Sequence, residues 1–512
     1  MRERHRRARD RLGDALTGAH WIDGDVRPGE TDGPDDEGES GGRTDAALVV
    51  SDPSTGDRLC DVAGGSADTV DAAVTAAAGA ADEWAARGAS ERAALIGEWT
   101  AELAAHRDQL AETLTLEMGR PVSFAAGEVD SAVEFLEYYA AVERAQSGTH
   151  LQRGREDHTY VRQEPYGVVG IILPWNYPLE LFAWKAGAAL ATGNAVVVKP
   201  SEEAPLALTR AVQLSAGALP DGVLNVVNGT GADVGEPMTA HDGIRKLSFT
   251  GSVPVGQTVM RRAADTVTPV SLELGGKNPF LVFPDADVEA AAETAASGIF
   301  FNTGQSCGAP SRAIVHESLH EEFVDAVVAA AEDAWVPGDP LDPETTLGPL
   351  AFEGQYEAIH EYVSVGAEAG AELVCGGDNP AGEAFADGYF FSPTVFDGVD
   401  PDSRIAQEEL FGPVLSVMSF SEYDEAIEMA NGVDYGLAAG LATSDMTTAH
   451  SAAADLEAGS VWVNDWHALG PGTPFGGFKQ SGIGRECAAE TLEAYRQSKT
   501  VSISLDGDPG QF

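Results

Sequence analysis

Between residues 168 and 264 the chain alternates short strand-like runs with segments of helical period. VVGIIL (168–173) and NAVVVKP (194–200) are continuous apolar runs, and GVLNVVNG (222–229) and IRKLSF (244–249) are strand-like. APLALTRAVQLSAGAL (204–219), GADVGEPMTA (231–240) and PVGQTVMRRAA (254–264) have helical spacing. A strand that is apolar throughout has no face for water, so both faces of its sheet are covered. Such strands, separated by helices, predict an α/β fold built on a parallel sheet. Sheets of this kind bind ligands where the carboxyl ends of the strands meet loops.

After Gly275 a second α/β series begins. NPFLVF (278–283) and RAIVHE (312–317) read as strands, with helices through 288–299 and 319–335, and the series runs to about residue 478. Upstream, residues 66–140 are Ala-rich, with Val70, Val74, Ala77 and Ala78 at helical spacing and Ser66 as a candidate N-cap. KTVSISL (499–505) alternates apolar and polar residues, the pattern of a half-exposed strand. Residues 28–45, rich in Gly and acid without apolar period, read as a disordered or loop insert.

Charge excludes several partners. The 512 residues hold 82 Asp plus Glu against 31 Lys plus Arg, a net −51. Nucleic acid and anionic membranes would be repelled. The acid is spread along the whole length, which suits the strongly hydrated surface of a protein from a high-salt cytoplasm, hence a halophilic source. A disordered acidic chain fits poorly with the long apolar periodic segments. Only six lysines remain (Lys185, Lys199, Lys246, Lys277, Lys479 and Lys499), so each survivor is a candidate for specific work. No apolar run approaches the roughly 20 residues that cross a membrane, and no apolar segment follows the basic N-terminus. A cytoplasmic location is expected. Cys60, Cys307, Cys375 and Cys487 lie far apart, so neither a metal site nor a disulfide framework is expected.

Several short segments carry possible chemistry. Gly229, Gly231 and Gly235 follow a strand and open a helix with GxGxxxG spacing, either a structural turn or a phosphate site. Thr250, Gly251 and Ser252 form another turn between strand and helix, where free amides would hold a pyrophosphate. Lys199 and Glu202 stand just past a strand end. Glu202 there would accept from ribose hydroxyls and repel a 2′-phosphate, favouring NAD over NADP, or it is simply the acidic first turn of a helix. Glu273 sits between Leu272 and Leu274, where a raised pKa would suit a general base; an exposed edge-strand position is the alternative. Cys307, in FFNTGQSCGAP, lies in turn-like sequence where a thiol can reach a ligand.

ILPWNYPL, KPSE, FTGS, LELGGK, NTGQSC, EELFGPV and PFGGFKQSGIGRE occur in that order between residues 171 and 486. Together they resemble the aldehyde dehydrogenase superfamily, of the non-acylating, NAD(P)-dependent kind. The resemblance implies a Rossmann-type parallel-sheet cofactor domain (46–144 and 164–275) and a second α/β catalytic domain (276–478). It also implies a small β oligomerisation element (145–163 and 490–512) that joins a homodimer or homotetramer. Residues 1–45 would be an N-terminal extension, partly disordered.

By the same resemblance Cys307 is the nucleophile and Glu273 the base, 307 − 273 = 34 residues upstream. Asn176 would bind the oxyanion with the Cys307 backbone N–H. Lys185 and Glu486 resemble positions of proton relay. Lys199 and Glu202 would meet the adenosine ribose, Ser252 the pyrophosphate, and Glu409 and Phe411 the nicotinamide ribose and ring. Ile172, Trp175, Gly231, Gly235, Thr250 and Leu274 complete the implied NAD site, with NADP as the alternative. Tyr177, Trp184, Phe301, Trp466 and Phe475 would line the substrate pocket, with Glu180 at its mouth disfavouring anions.

These residues imply a broad range of apolar or aromatic aldehydes. Betaine aldehyde is an alternative, although its enzymes commonly carry tryptophan where Phe301 and Phe475 stand here. Succinate semialdehyde is another, although its enzymes often hold the distal carboxylate with an arginine where Trp184 stands. A CoA-acylating relative would generally lack Glu273, and a cysteine hydrolase would need a histidine that no motif supplies. A binding or structural member of the fold is the reading from another class.

Overall fold

A computed structural model describes residues 1–16, 18–27, 48–152 and 157–505. Five parallel strands form the heart of the first sheet, in the spatial order Leu224–Val226, Ala195–Lys199, Val168–Ile172, Lys246–Thr250 and Val270–Glu273. Every residue of the middle three is buried, as the apolar runs at 168–172 and 195–198 require, and in the third this includes the polar Lys246, Ser248 and Thr250. The chain builds outward in one direction over its first three strands, then returns to the other side of Val168–Ile172. That strand and Lys246–Thr250 therefore flank a topological switch point, where loops diverge and leave a crevice.

Both edges of this sheet are closed by distant sequence. Trp21 of strand His20–Ile22 pairs antiparallel with Val226, and Asp25–Arg27 pairs outside it. Gly482–Ile483 pairs antiparallel with Leu272 and Glu273 at the opposite edge. The N-terminal extension expected over 1–45 includes residues 20–27, which pair onto the edge of this sheet. Three-residue strands carry too little periodicity to be read, yet buried Trp21 and Ile22 cover the sheet edge. The insert at 28–45 lies outside the described residues.

Helix Arg2–Leu12 precedes this hairpin. His5 on it is buried between two carboxylates, Nδ1 2.5 Å from Asp52 and Nε2 2.9 Å from Asp339. Ser66 caps helix Ala67–Ala86 in a capping box with Thr69, as its sequence position predicts. Helices Ala89–Ala105, Arg107–Met118 and Val122–Glu143 follow. Helix Pro178–Ala191 runs beneath them, and all its residues except Glu180 are buried.

The second sheet has seven strands, ordered Glu372–Cys375, Thr394–Asp397, Val414–Phe420, Arg312–His316, Pro279–Val282, Ala438–Ala442 and Ser460–Val463. All neighbours are parallel except the first pair. Thr149–Leu151, Asp157–Pro165 and Arg496–Ser504 form a separate three-stranded antiparallel sheet. Arg496–Ser504 stands at the end of that sheet, paired with Asp157–Pro165.

Candidate active site

Cys307 is delivered by a strained loop. After helix Val288–Phe300 the chain turns through Asn302 (φ 52°), Thr303 (φ 57°) and Gly304 (φ 71°). Left-handed non-glycine residues persist only where surroundings over-determine them. Asn302 is so held: Nδ2 donates to the carbonyls of Asn176 (3.3 Å) and Gln305 (3.1 Å), and Oδ1 accepts from Arg120 Nε (3.0 Å). Beyond the turn, Asn278 Nδ2 donates to the Cys307 carbonyl at 2.8 Å. A Cβ on Gly276 would lie 2.6 Å from that carbonyl, so the close approach needs glycine there.

Two cavities meet at this cysteine, and Cys307 is the one residue that lines both. The smaller, about 230 Å³, lies at the switch point. Pro174, Trp175 and Asn176 approach it from strand Val168–Ile172, and Thr250, Gly251 and Ser252 from strand Lys246–Thr250. Helix Val253–Thr266 starts on its wall without a side-chain cap, and buried Thr250 Oγ1 has no hydrogen-bond partner among the described residues. Free donors at a helix start form an anion site, so the residues present fit a dinucleotide pyrophosphate. Across the cavity, Gly276 N–H donates to Glu409 Oε1 at 3.1 Å, and a side chain on Gly275 would collide with that carboxylate. Burial pushes the Glu409 carboxyl up to about 7. Leu274 and Phe411 also line this space, and Phe411 meets Trp175 edge-on at 5.4 Å.

The other expected cofactor residues stand off its wall. Ile172 is buried in the sheet core. Lys199, Glu202, Gly231 and Gly235 gather instead at the end of strand Ala195–Lys199. Lys199 Nζ and Glu202 Oε2 pair at 3.0 Å. Burial opposes the Glu202 charge, but Lys199 and backbone amides, Gly231 among them, hold its carboxyl below the usual range. A Cβ on Gly235 would sit 3.7 Å from Lys199 Cδ, so the lysine stem packs over that turn.

Glu273 ends strand Val270–Glu273, buried, with neither carboxylate oxygen hydrogen-bonded among the described residues. Burial first, then nearby Glu486, push its carboxyl well above the carboxylate range. Glu486 forms a fully buried ion pair with Lys185. Glu273 lies on neither cavity wall, and its charge bears on the Cys307 thiol. The Cys307 thiol is pushed up to about 12 by burial, with Glu409 and Glu273 adding to it. The resting group is therefore the thiol, and a base must ionise it.

The larger cavity is about 360 Å³ and aromatic. Tyr177, Glu180, Trp184, Phe301, Trp466 and Phe475, six residues named from sequence, all line it. Trp184 meets Phe475 edge-on at 5.7 Å, and Trp466 Nε1 donates to the Gly308 carbonyl at 3.1 Å. Sequence reading missed His467 and Trp462 on the same wall. Burial lowers His467 to about 4, so its imidazole is neutral. Arg120 was missed as well. It forms a buried ion pair with Glu128, donates to the Asn176 carbonyl at 2.6 Å and lies 4.1 Å from the Tyr177 ring centre. Six lysines among 31 basic residues leave 31 − 6 = 25 arginines, so the scarcity that singled out the lysines did not single out this one.

Fold and site together define an α/β enzyme in which one cysteine separates a cleft at a strand switch from an aromatic chamber. The profile of the aldehyde dehydrogenase family matches residues 41–501, and the chain belongs to that family of aldehyde-oxidising oxidoreductases. A betaine aldehyde dehydrogenase of Mesorhizobium japonicum is 41% identical over 460 residues, covering 90% of this chain and 94% of its own. Among solved structures, P. syringae indole-3-acetaldehyde dehydrogenase bound to NAD+ superposes with TM-score 0.92 at 37% identity, over 98% of this chain and 99% of its own. The betaine aldehyde dehydrogenase of Staphylococcus aureus with NAD+ gives TM-score 0.93 at 33% identity, over 99% and 98%.

Proposed function

We infer that the protein oxidises aldehydes to carboxylic acids with NAD, through a covalent thioester on Cys307. The observation that carries this is the position of Cys307 on both cavities, where a thiol reaches an aldehyde from one side and a hydride acceptor from the other.

The Cys307 thiol gives its proton to the Glu273 carboxylate, which passes it on toward the Lys185–Glu486 pair, and the sulfur adds to the aldehyde carbon as the carbon–oxygen π bond breaks, leaving a negative oxygen. Asn176 Nδ2 already donates one hydrogen to the Gln305 carbonyl at 3.1 Å, so its second remains for that oxygen, beside the Cys307 N–H. Two preorganised donors lower such a barrier by several kcal/mol, on the order of 3 each. NAD, when bound in the smaller cavity, supplies the two-electron acceptor for the hydride that leaves carbon. Thr250, Ser252, Glu409 and Phe411 would hold it, and Lys199 with Glu202 would meet its adenosine ribose. Glu273 then takes a proton from water, the water oxygen adds to the thioester, and the carbon–sulfur bond breaks to release acid. The buried Lys185–Glu486 pair supports Glu273 as a route for that proton.

The aromatic lining supports a broad apolar or aromatic aldehyde range. No Lys or Arg lines the larger cavity, which disfavours succinate semialdehyde. Betaine aldehyde is the second reading, favoured by the names of two relatives. Glu202 supports NAD over NADP, and the position of Arg496–Ser504 at the end of its three-stranded sheet supports a homodimer or homotetramer. Among the described residues no helix is long and apolar enough to cross a membrane. With the net charge of −51, this supports a protein of a high-salt cytoplasm. The test is Cys307→Ala: NADH formation from every aldehyde is expected to vanish while NAD binding persists. Full activity in that variant would sink the mechanism.

A further inference from the structure

We propose that Glu180 makes the aromatic cavity selective for aldehydes bearing a protonated amine at the end remote from the carbonyl. The proposal rests on the aldehyde-oxidising reading and narrows its substrate class.

Glu180 is the one residue of helix Pro178–Ala191 that is not buried, and it opens onto the cavity. Its Oε1 accepts from Ser131 Oγ at 2.8 Å. Oε2 has no hydrogen-bond partner among the described residues and is not sealed in the protein. Trp184 stands one turn after it on the same helix face, and Tyr177, the N-cap of that helix, lines the same cavity, so the carboxylate shares that cavity with two rings.

Among the described residues the cavity lining contains no Lys or Arg to pair with this group, and burial keeps His467 neutral. The nearby Arg120 cation is committed to Glu128, to the Asn176 carbonyl and to Asn302. A carboxylate in apolar surroundings without a partner is unfavourable, and a cationic ligand removes that penalty. Aromatic faces attract the same charge. Burial and Glu128 push the Glu180 carboxyl up to about 7, while Ser131 and Arg120 oppose the rise. Cys487, from the C-terminal segment, Tyr177 and Cys307 are the other titratable groups facing it, and each favours its neutral form there. Near neutral pH the empty site is balanced between acid and carboxylate, and an ammonium tips it to the carboxylate.

The experiment compares kcat/KM, with NAD, for a straight-chain aldehyde ending in a primary amine, its N-acetyl derivative and an alkyl aldehyde of equal length. An aldehyde ending in trimethylammonium, which has charge but no N–H, is the fourth arm. The amine is expected to exceed the acetyl and alkyl compounds about tenfold, and Glu180→Gln, which keeps the Ser131 contact, to cut that ratio about tenfold. In the unaltered protein KM for the amine should fall as pH rises from 6 to 8, with no such trend for the alkyl aldehyde. An amine-to-alkyl ratio near one, or one unchanged in Glu180→Gln, overturns the proposal. So does a trimethylammonium preference that exceeds the amine's and survives Glu180→Gln, because the rings alone would then hold the cation. Failure to form NADH from any aldehyde overturns the aldehyde reading and this proposal together; NADH from neutral aldehydes without amine selectivity overturns only this one.

Discussion

The side-chain amide of Asn278 ties the backbone of Cys307 to the second sheet. Nδ2 donates to the Cys307 carbonyl at 2.8 Å and the Ala309 carbonyl at 2.9 Å, while Oδ1 accepts from Ala438 N–H at 3.0 Å. A reactive sulfur misplaced by about 1 Å loses on the order of a hundredfold in rate. Asn278→Ala is expected to lower kcat by about ten- to a hundredfold with little change in KM, and to destabilise by about 1–3 kcal/mol through the orphaned carbonyls. Steady-state kinetics and denaturant melts check both; an unchanged kcat would show that the loop holds Cys307 without it.

Glu273 is buried without a hydrogen-bond partner among the described residues, and burial with Glu486 nearby pushes its carboxyl well above the carboxylate range. Glu273→Gln removes the proposed base but keeps the shape. Stopped-flow NADH fluorescence should show a burst followed by turnover slowed about 10²–10⁴-fold, the scale of a positioned base. No burst and an unaltered steady rate would put the base elsewhere.

His5 locks the N-terminal helix to both halves of the molecule through Asp52 and Asp339. Burial opposes its charge, but the two carboxylates dominate and raise it from 6.5 to about 9. A raised folded pKa stabilises fully below about 6.5 and loses that contribution as pH climbs through about 9. The shift corresponds to about 3 kcal/mol at most. Asp339 is held low in the same contact and contributes above its ordinary pKa, so the latch spans the neutral range. Thermal melts at pH 6.5 and 9.5 should show a drop that His5→Gln largely abolishes. An equal drop in the variant would assign the pH dependence to other groups.

Glu202 pairs with Lys199 beside the Gly231–Gly235 turn. A carboxylate in that place repels a 2′-phosphate. Glu202→Gln should raise kcat/KM for NADP about tenfold and lower it for NAD. Equal preference in both proteins would remove Glu202 from cofactor choice.

With a net charge of −51 the folded surface repels itself. At about 1 M salt the screening length falls to about 3 Å. Melting temperature and specific activity are expected to rise together from dilute buffer to molar KCl. A protein equally stable at both extremes would refute the high-salt reading.

The central strands were legible because burial on both faces leaves an unbroken apolar run, as in Val168–Ile172 and Ala195–Lys199. Their boundaries were less so: the helix expected over 204–219 is Leu206–Gln213, and the strand expected over 222–229 is Leu224–Val226. The edge strands at 20–27 and 482–483 escaped notice, because two or three residues cannot express a period of two. Six pocket residues were named by resemblance, whereas His467, Trp462 and Arg120 stood outside every motif and were visible only by where their neighbours put them.

Sequence by itself determined the α/β class, through apolar periodicity, and the family, through seven motifs in order. It also singled out Cys307 as a thiol in turn-like surroundings. Tertiary structure alone decided that Cys307 is shared by two cavities, that Glu273 is buried off both walls, and that Glu180 opens into an aromatic chamber whose described lining holds no Lys or Arg. Those facts depend on segments far apart in the chain, around residues 120, 176, 273, 307, 409 and 467, meeting in one place. Periodicity reports how a residue faces its own element, and it carries no information on which other element lies opposite.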